Sequence, residues 1–377
     1  MGAIADVLHR MGHTVTGSDL KDGPVVERLR VAGMEIHVGH DAANVGAADL
    51  VAISTAIPEH NPEVRSANER QIPLLRRSDI LPAISAERRS IVVAGTHGKT
   101  TTSSMLAMAM VEADLDPSFI IGGDVNEIGS GAVWADGEWF IIEGDESDRT
   151  FLSLGAEIAI VTNVEPDHLE TYDNDPEQLL AAFVQFADAA TTPIYCADDA
   201  GAMQVASAVP GITYGTAEHA DYRMVDIETG RASVTFTIRH DGAEVARVEL
   251  PTPGMHNARN AAAAFVATIA AGGSAAAAAA ALARFGCSDA AGRRTRCVPI
   301  RRRRRSGRTS LTGLSVLTFS WSPTSMPQGK PRALASPASS SSMPCSTHIH
   351  GPPWPGCRVS MTRPDGWLTD CALVISV

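Results

Sequence analysis

Cysteine is almost absent from the first three quarters of this 377-residue chain: residues 1–285 hold one, Cys196, and the other five lie beyond. A disulfide framework is thereby excluded for that region, whose composition suits a reducing cytoplasm. No apolar run approaches bilayer-spanning length, and the N-terminus lacks the charged-then-apolar layout of a signal peptide. Neither membrane insertion nor export is expected. Basic residues are also sparse there. Of 31 Lys and Arg and 43 Asp and Glu, residues 286–377 take 13 and 3, leaving residues 1–285 with 18 against 40, a net of −22, while the remainder carries +10. The chain changes character near residue 286.

Length suggests two or three domains. Residues 1–89 alternate helix and strand: IADVLHRMG, VVERLRVAG and NPEVRSANERQ read as helices, and HTVTGSD, MEIHVGH and DLVAIST as extended segments. Such alternation builds a parallel sheet covered by helices, with ligands at the C-terminal strand ends. The unit starts on a helix, without an opening strand or complete glycine turn, which points to a misplaced start codon or a fragment boundary. Asp19, at the end of its strand, is either a ribose ligand or a turn cap.

A second unit runs from Ser90 to residue 285. Its strands are IVVAG, PSFIIGG, EWFIIEGD, AEIAIVTN and TPIYCADD, with a helix through PEQLLAAFVQFADAA. RMVDIE, ASVTFTIRH and EVARVEL then read as antiparallel strands joined by turns at Thr229-Gly230 and Asp241-Gly242. Helices through NARNAAAAFVATIAA and SAAAAAAALARF close the unit, alanine being the strongest helix former.

The tail, 286–377, opens with GRRTRCVPIRRRRRSGR and continues through LASPASSSSMPCS and HIHGPPWPGC, with little periodicity. A basic nucleic-acid arm is disfavoured by the scattered Cys and Trp, and a disulfide-stapled module by the nearly cysteine-free body. Out-of-frame translation of a GC-rich gene explains the composition best.

The chemistry concentrates in IVVAGTHGKTTT, residues 91–102. An apolar strand runs into a glycine turn and a helix start, so bare backbone N–H groups converge on one point, as a polyphosphate requires. Lys99 adds a mobile positive charge, and the Thr100 hydroxyl can ligate the Mg²⁺ that travels with ATP. The loop is short: only Thr96 and His97 separate Gly95 from Gly98. Downstream, Glu143, Asp145, Glu146 and Asp148 cluster in IIEGDESD and need a cation to offset their repulsion. Glu143, nearest the strand end, is the first choice as Mg²⁺ ligand; a solvated acidic loop is the other reading. TNVEPDHLETY sets Asn163, Glu165, Asp167 and His168 at another strand end, with His168 a candidate ligand. His256, Asn257 and Asn260 open a helix, where they either read a purine edge or cap the helix.

GTHGKTTT, EGDESD, TNVEPDHLETY and GMHNARNA, with AISTAIPEHNPEV and SFIIGGDVNEIG, together resemble the Mur ligases, in family order and at family-like spacing over residues 1–285. The resemblance implies an α/β protein. Residues 1–89 would form a Rossmann-like domain for the UDP sugar, without its first strand and glycine loop. Residues 90–285 would form a central P-loop ATPase domain with a mixed sheet covered by helices on both faces. Residues 286–377, not a recognisable fold, stand where the amino-acid-binding domain is expected.

By the same resemblance Gly95, Thr96, His97, Gly98, Lys99, Thr100 and Thr101 cradle the ATP phosphates, and His256 and Asn257 approach the adenine. Thr100 and Glu143 bind one Mg²⁺ and His168 a second; Lys99, Glu143 and His168 are the catalytic set. Asp19, Ser54, Asn163, Ser147 and Asp148 face the sugar-nucleotide substrate. The implied reaction joins L-alanine to the lactyl carboxylate of UDP-N-acetylmuramate through an acyl phosphate, with ATP and Mg²⁺, in cytoplasmic peptidoglycan precursor synthesis. No nucleic acid or membrane partner is implied. The related ligase that attaches an intact tripeptide to the same sugar is the alternative, and Ser147 favours the alanine branch. A catalytically silent nucleotide-binding remnant is the third reading, because the tail lacks the family's histidine-containing third-domain segments.

Overall fold

The computed structural model describes residues 1–125, 130–286 and 372–376, the side chains of 123–125 and 372–376 excepted. The chain opens with α1 (Gly2–Arg10), which buries Ile4, Ala5, Val7 and Leu8, the stripe that i, i+3, i+4 spacing puts on one helix face. β1 (Thr14–Asp19), α2 (Pro24–Val31), β2 (Glu35–Val38), β3 (Leu50–Ile53), α3 (Pro62–Glu69), β4 (Leu74–Arg76) and α4 (Arg77–Ser85) follow. α2 and α3 begin on proline, whose missing N–H costs nothing in a first turn. Asn61 caps α3 by accepting from the Glu63 and Val64 amides. α4 carries Pro82 in its interior, which removes one backbone donor.

The larger sheet holds β5 (Arg89–Ala94), β6 (Ser118–Val125), β7 (Ser130–Val133), β8 (Trp139–Glu143), β9 (Ala156–Val161), β10 (Thr192–Cys196), β11 (Ile212–Gly215), β12 (Tyr222–Thr229), β13 (Val234–His240) and β14 (Ala243–Leu250). Their spatial order is β14-β13-β12-β11-β10-β9-β5-β8-β6-β7. The run from β12 to β6 is parallel, while β13, β14 and β7 pair antiparallel, so the sheet is mixed. Its helices are α5 (Lys99–Glu112), α6 (Pro176–Asp188), α7 (Ala200–Ala208), α8 (Met255–Ala270) and α9 (Ala275–Leu282).

Strand alternation divides the core. Ile91, Val93, Ile141, Ile158 and Ile160 face a layer with Met105, Met108 and Phe265 from α5 and α8. Val92, Ala94, Phe140, Ile142 and Val161 face the opposite layer with Phe151, Tyr172, Phe183 and Phe186. Burial on both sides is why these strands read as unbroken apolar runs. Residues of α1 and α4 join this second layer, packing the first unit against the second.

The last described element, β15 (Ala372–Ser376), returns to the first sheet, whose order is β2-β1-β15-β3-β4. All four pairings are parallel. The position expected to lack a strand is therefore taken by a segment from the far end of the chain. The rest of 286–377, including the arginine run, lies outside the described residues except Gly286. No helix among the described residues is long and apolar enough to cross a membrane.

Candidate active site

β5 ends at Ala94 in the middle of the larger sheet, between β8 and β9, and α5 begins five residues later. The intervening turn is held against the end of β9. A Cβ on Gly95 (φ +137°) would overlap the Thr162 hydroxyl, and one on Gly98 (φ +84°) would stand 2.6 Å from Asn260 Oδ1. Both glycines are thus demanded by space and by backbone conformation. Asn163 Oδ1 accepts from the His97 amide at 2.8 Å, and its Nδ2 donates to the His97 carbonyl at 2.9 Å. Thr162 Oγ1 donates to the same carbonyl at 2.8 Å. Thr96 Oγ1 accepts from the Glu165 amide at 2.9 Å. The turn is braced on β9 by side chains rather than left as a free loop.

Lys99 and Thr100 start α5. Lys99 Nζ donates to the Gly95 carbonyl at 2.6 Å and to both Glu146 carboxylate oxygens at 2.9 and 2.8 Å. The Glu146 side chain is 3% exposed and that of Lys99 19%. Thr100 Oγ1 donates to Glu143 Oε2 at 3.0 Å, while Glu143 Oε1 accepts from the Gly122 amide at 2.7 Å. A hydroxyl, a carboxylate and an ammonium thus converge at the N-terminus of a 14-residue helix, whose dipole adds positive potential.

The acidic run resolves into distinct roles. Asp145 Oδ1 accepts from the Ser147 amide and hydroxyl, and Asp148 Oδ1 from the Thr150 amide, so both aspartates fold their own loop. Glu146 turns inward, and the cation that the cluster required is Lys99. The loop is also tied to the segment after β9: Tyr172 donates to the Glu146 carbonyl at 2.6 Å and Thr171 to the Ser147 carbonyl at 2.5 Å. Burial pushes the Tyr172 phenol up to about 12, aided by the nearby Glu146 charge against the opposing pull of Arg149, so it stays a donor at neutral pH.

His168 sits in left-handed conformation (φ +53°) with a side chain 56% exposed; its amide donates to Asp167 Oδ1, and its ring faces Asp167 at 3.9 Å. None of these contacts ties it to Thr100 or Glu143. Among the described residues no group of three His, Cys, Asp or Glu is placed to hold a metal ion. His97 is exposed beside Glu165. Asn257 donates back to the Pro253 carbonyl at 2.8 Å, so the expected capping of α8 by its side chain is not seen: the helix opens at Gly254 without a side-chain cap, and His256 lies over Gly254. Asn260, one turn further along α8, is the amide that reaches the turn at Gly98. Asp19, at the end of β1, accepts from the Lys21 amide at 2.9 Å, and Ser54 follows β3. They stand at the C-terminal edge of the first sheet, on the two strands that flank β15.

In the larger sheet, just after β10, Asp198 accepts from Thr216 Oγ1, from the Thr216 and Ala217 amides and from Arg259 Nε at 2.8 Å. Burial raises its pKa, but the Arg259 and Thr216 hydrogen bonds outweigh that and hold it below the ordinary aspartate value. Sequence reading did not single out this pair.

Residues 1–89 match the Mur ligase family catalytic domain and residues 93–268 the Mur ligase middle domain. Over 277 residues the chain is 41% identical to UDP-N-acetylmuramate–L-alanine ligase of Brucella anthropi, covering 70% of this chain and 58% of that protein. Over 272 residues it is 44% identical to the protein of the same name from Halorhodospira halophila, covering 70% and 55%. The chain thus spans little more than half the length of these relatives. Among solved structures it is similar to UDP-N-acetylmuramate–alanine ligase of Thermotoga maritima, with TM-score 0.67, 27% identity, and coverage of 75% of this chain and 66% of that one. It is also similar to UDP-N-acetylmuramate:L-alanyl-gamma-D-glutamyl-meso-diaminopimelate ligase from Neisseria meningitides, with TM-score 0.68, 25% identity, and coverage of 76% and 95%.

Proposed function

Because the chain belongs to the Mur ligase family, we propose that it binds Mg²⁺–ATP where β5 leaves the larger sheet and UDP-N-acetylmuramate at the C-terminal edge of the first sheet, for ligation to L-alanine. The observation that carries this reading is the hydrogen bond between Thr100 and Glu143 beside the Lys99 ammonium. A hydroxyl and a carboxylate are the hard oxygen donors that Mg²⁺ takes, alongside phosphate oxygens. Thr100 and Glu143 would hold one ion, and the exposed imidazole of His168 a second. When bound, Mg²⁺ neutralises phosphate charge.

The chain's own groups do the remaining work by position and charge. The turn of residues 95–101 and the α5 dipole would receive the phosphates, chiefly through the amides at the helix start, since those of Thr96 and His97 already donate to Asn163. Lys99 offsets charge developing on the transferring phosphoryl while the lactyl carboxylate attacks the γ-phosphorus and ADP departs. The alanine amine then attacks the acyl-phosphate carbonyl, phosphate leaves, the amine loses a proton, and the amide remains. Asp19 and Ser54 would orient the sugar nucleotide, and Ser147 and Asp148 would border it. His256 and Asn257 would border the adenine. Residues 1–89, 90–285 and 286–377 would divide the work as sugar-nucleotide unit, ATP unit and aberrant tail. The setting for this chemistry is the cytoplasm.

The test measures ATP binding by calorimetry and phosphate release with UDP-N-acetylmuramate plus either L-alanine or the tripeptide. Alanine-dependent release, reduced about 10²–10³-fold in Lys99→Ala, is expected. Release with tripeptide alone transfers the chain to the tripeptide-adding reaction. Binding without release makes it a nucleotide-binding remnant, and absence of ATP binding overturns the site itself.

A further inference from the structure

β15 comes from the far end of the chain yet occupies the middle of the first sheet, between β1 and β3. Thr14, Val15, Thr16, Gly17 and Ser18 face Ala372, Leu373, Val374, Ile375 and Ser376 in register on one edge. Leu50, Val51, Ala52 and Ile53 face Leu373 to Ser376 on the other. We infer that the space between β1 and β3 is a strand-binding slot: its ligand is an extended, uncharged, β-branched-rich pentapeptide held parallel by main-chain hydrogen bonds on both edges, and Ala372–Ser376 fills it in cis.

The spacing makes an occupant necessary. Neighbouring strands stand about 4.8 Å apart, so two strands flanking an empty place are about 10 Å apart and cannot bond each other. Val15, Ser18, Val51 and Ala52 are all buried, so the facing edges of β1 and β3 are shielded by side chains above and below. Backbone N–H and C=O groups left unpaired in such a place are costly. The pentapeptide ALVIS has no charge, no proline and two β-branched residues, the composition that strand interiors favour.

In sequence the link to the slot is long, because residues 287–371 separate β15 from the preceding described segment. Closure entropy rises only slowly with the number of residues between two ends, so docking in cis is feasible. A free peptide of the same sequence, at about millimolar concentration, competes for the slot whenever it exceeds the effective concentration of the linked strand. Recognition by strand addition on an exposed edge is a known mode of peptide binding; here both sides of the peptide are read.

Amide hydrogen exchange tests the inference on the full chain, on a chain ending at Asp370, and on full-length Val374→Pro, each with and without about millimolar synthetic peptide CALVISV. Amides of β1 and β3 are expected to exchange slowly in the full chain and about tenfold or more faster in the shortened chain, while β5, β8 and β9 stay slow. The peptide should restore protection, and its Val374→Pro version should not. Val374→Pro in the full chain should release β1 and β3 even if the shortened chain aggregates. Equal exchange of β1 and β3 in all chains, or no protection by the peptide, overturns the slot. A dimer whose β1 and β3 protection is lost on dilution would assign the strand to a second copy and overturn the cis assignment.

Discussion

Lys99 Nζ donates to both oxygens of the Glu146 carboxylate, at 2.9 and 2.8 Å, so the ammonium at the head of α5 is bound to an acid that solvent scarcely reaches. Removing one member of such a pair leaves the other charge buried without a counterion, which is more damaging than removing both. Lys99→Ala should lower unfolding free energy by about 3 kcal/mol, and adding Glu146→Gln should recover part of the loss. Urea titrations of the three proteins check this. ATP affinity should fall in Lys99→Ala and stay low in the double variant, separating the ion pair's structural contribution from phosphate binding.

Asn163 makes two side-chain hydrogen bonds to the backbone of His97. In Asn163→Ala the His97 amide and carbonyl lose these bonds, and the turn loosens at about 1–3 kcal/mol. ATP binding should weaken by about tenfold or more, since each 1.4 kcal/mol is tenfold in affinity. Calorimetric affinity with unchanged exchange of β9 amides is the expected result.

Gly98 combines φ +84° with the close approach of Asn260. Gly98→Ala should cost about 1–2 kcal/mol from backbone conformation alone, with the overlap added. Pairing it with Asn260→Ala relieves the overlap and leaves the backbone term. Thermal melts of the single and double variants should therefore show partial, not full, recovery.

The Asp198–Arg259 pair gives stability a defined dependence on acid. Asp198 has a folded pKa below its unfolded value, so its contribution is complete above the unfolded value, about 3.9, and is lost as pH falls through the lower folded value. Arg259→Ala should be less stable than the parent near neutral pH, and the gap should narrow progressively below about pH 3.9. Urea midpoints at a series of pH values provide the measurement.

Much of the larger sheet was legible because its central strands are covered on both faces and appear as apolar runs such as Ile91–Val93 and Ile158–Val161. β4 with α4 escaped notice: a strand from Leu74 to Arg76 is too short for a period, and Pro82 interrupts the helical pattern. β11, from Ile212 to Gly215, is one residue longer and still too brief for a period. At the site, Lys99, Thr100 and Glu143 were visible from their place after apolar strands. Glu146 was not, because spacing alone does not say which acid of a run turns inward. A local signal did exist. Asp145 and Asp148 each precede, by two residues, an amide that a short aspartate can cap, which leaves the longer glutamate to reach the lysine. No short-range pattern announces a partner supplied from several hundred residues away, as β15 is to β1.

The bracing of residues 95–98 on Thr162 and Asn163 has a consequence for affinity. A recognition loop that must freeze around its guest loses conformational freedom at the moment of association. Here that ordering was settled when β5 and β9 became neighbours, so under the proposed function an arriving triphosphate would meet a turn already shaped and keep more of its contact energy as binding.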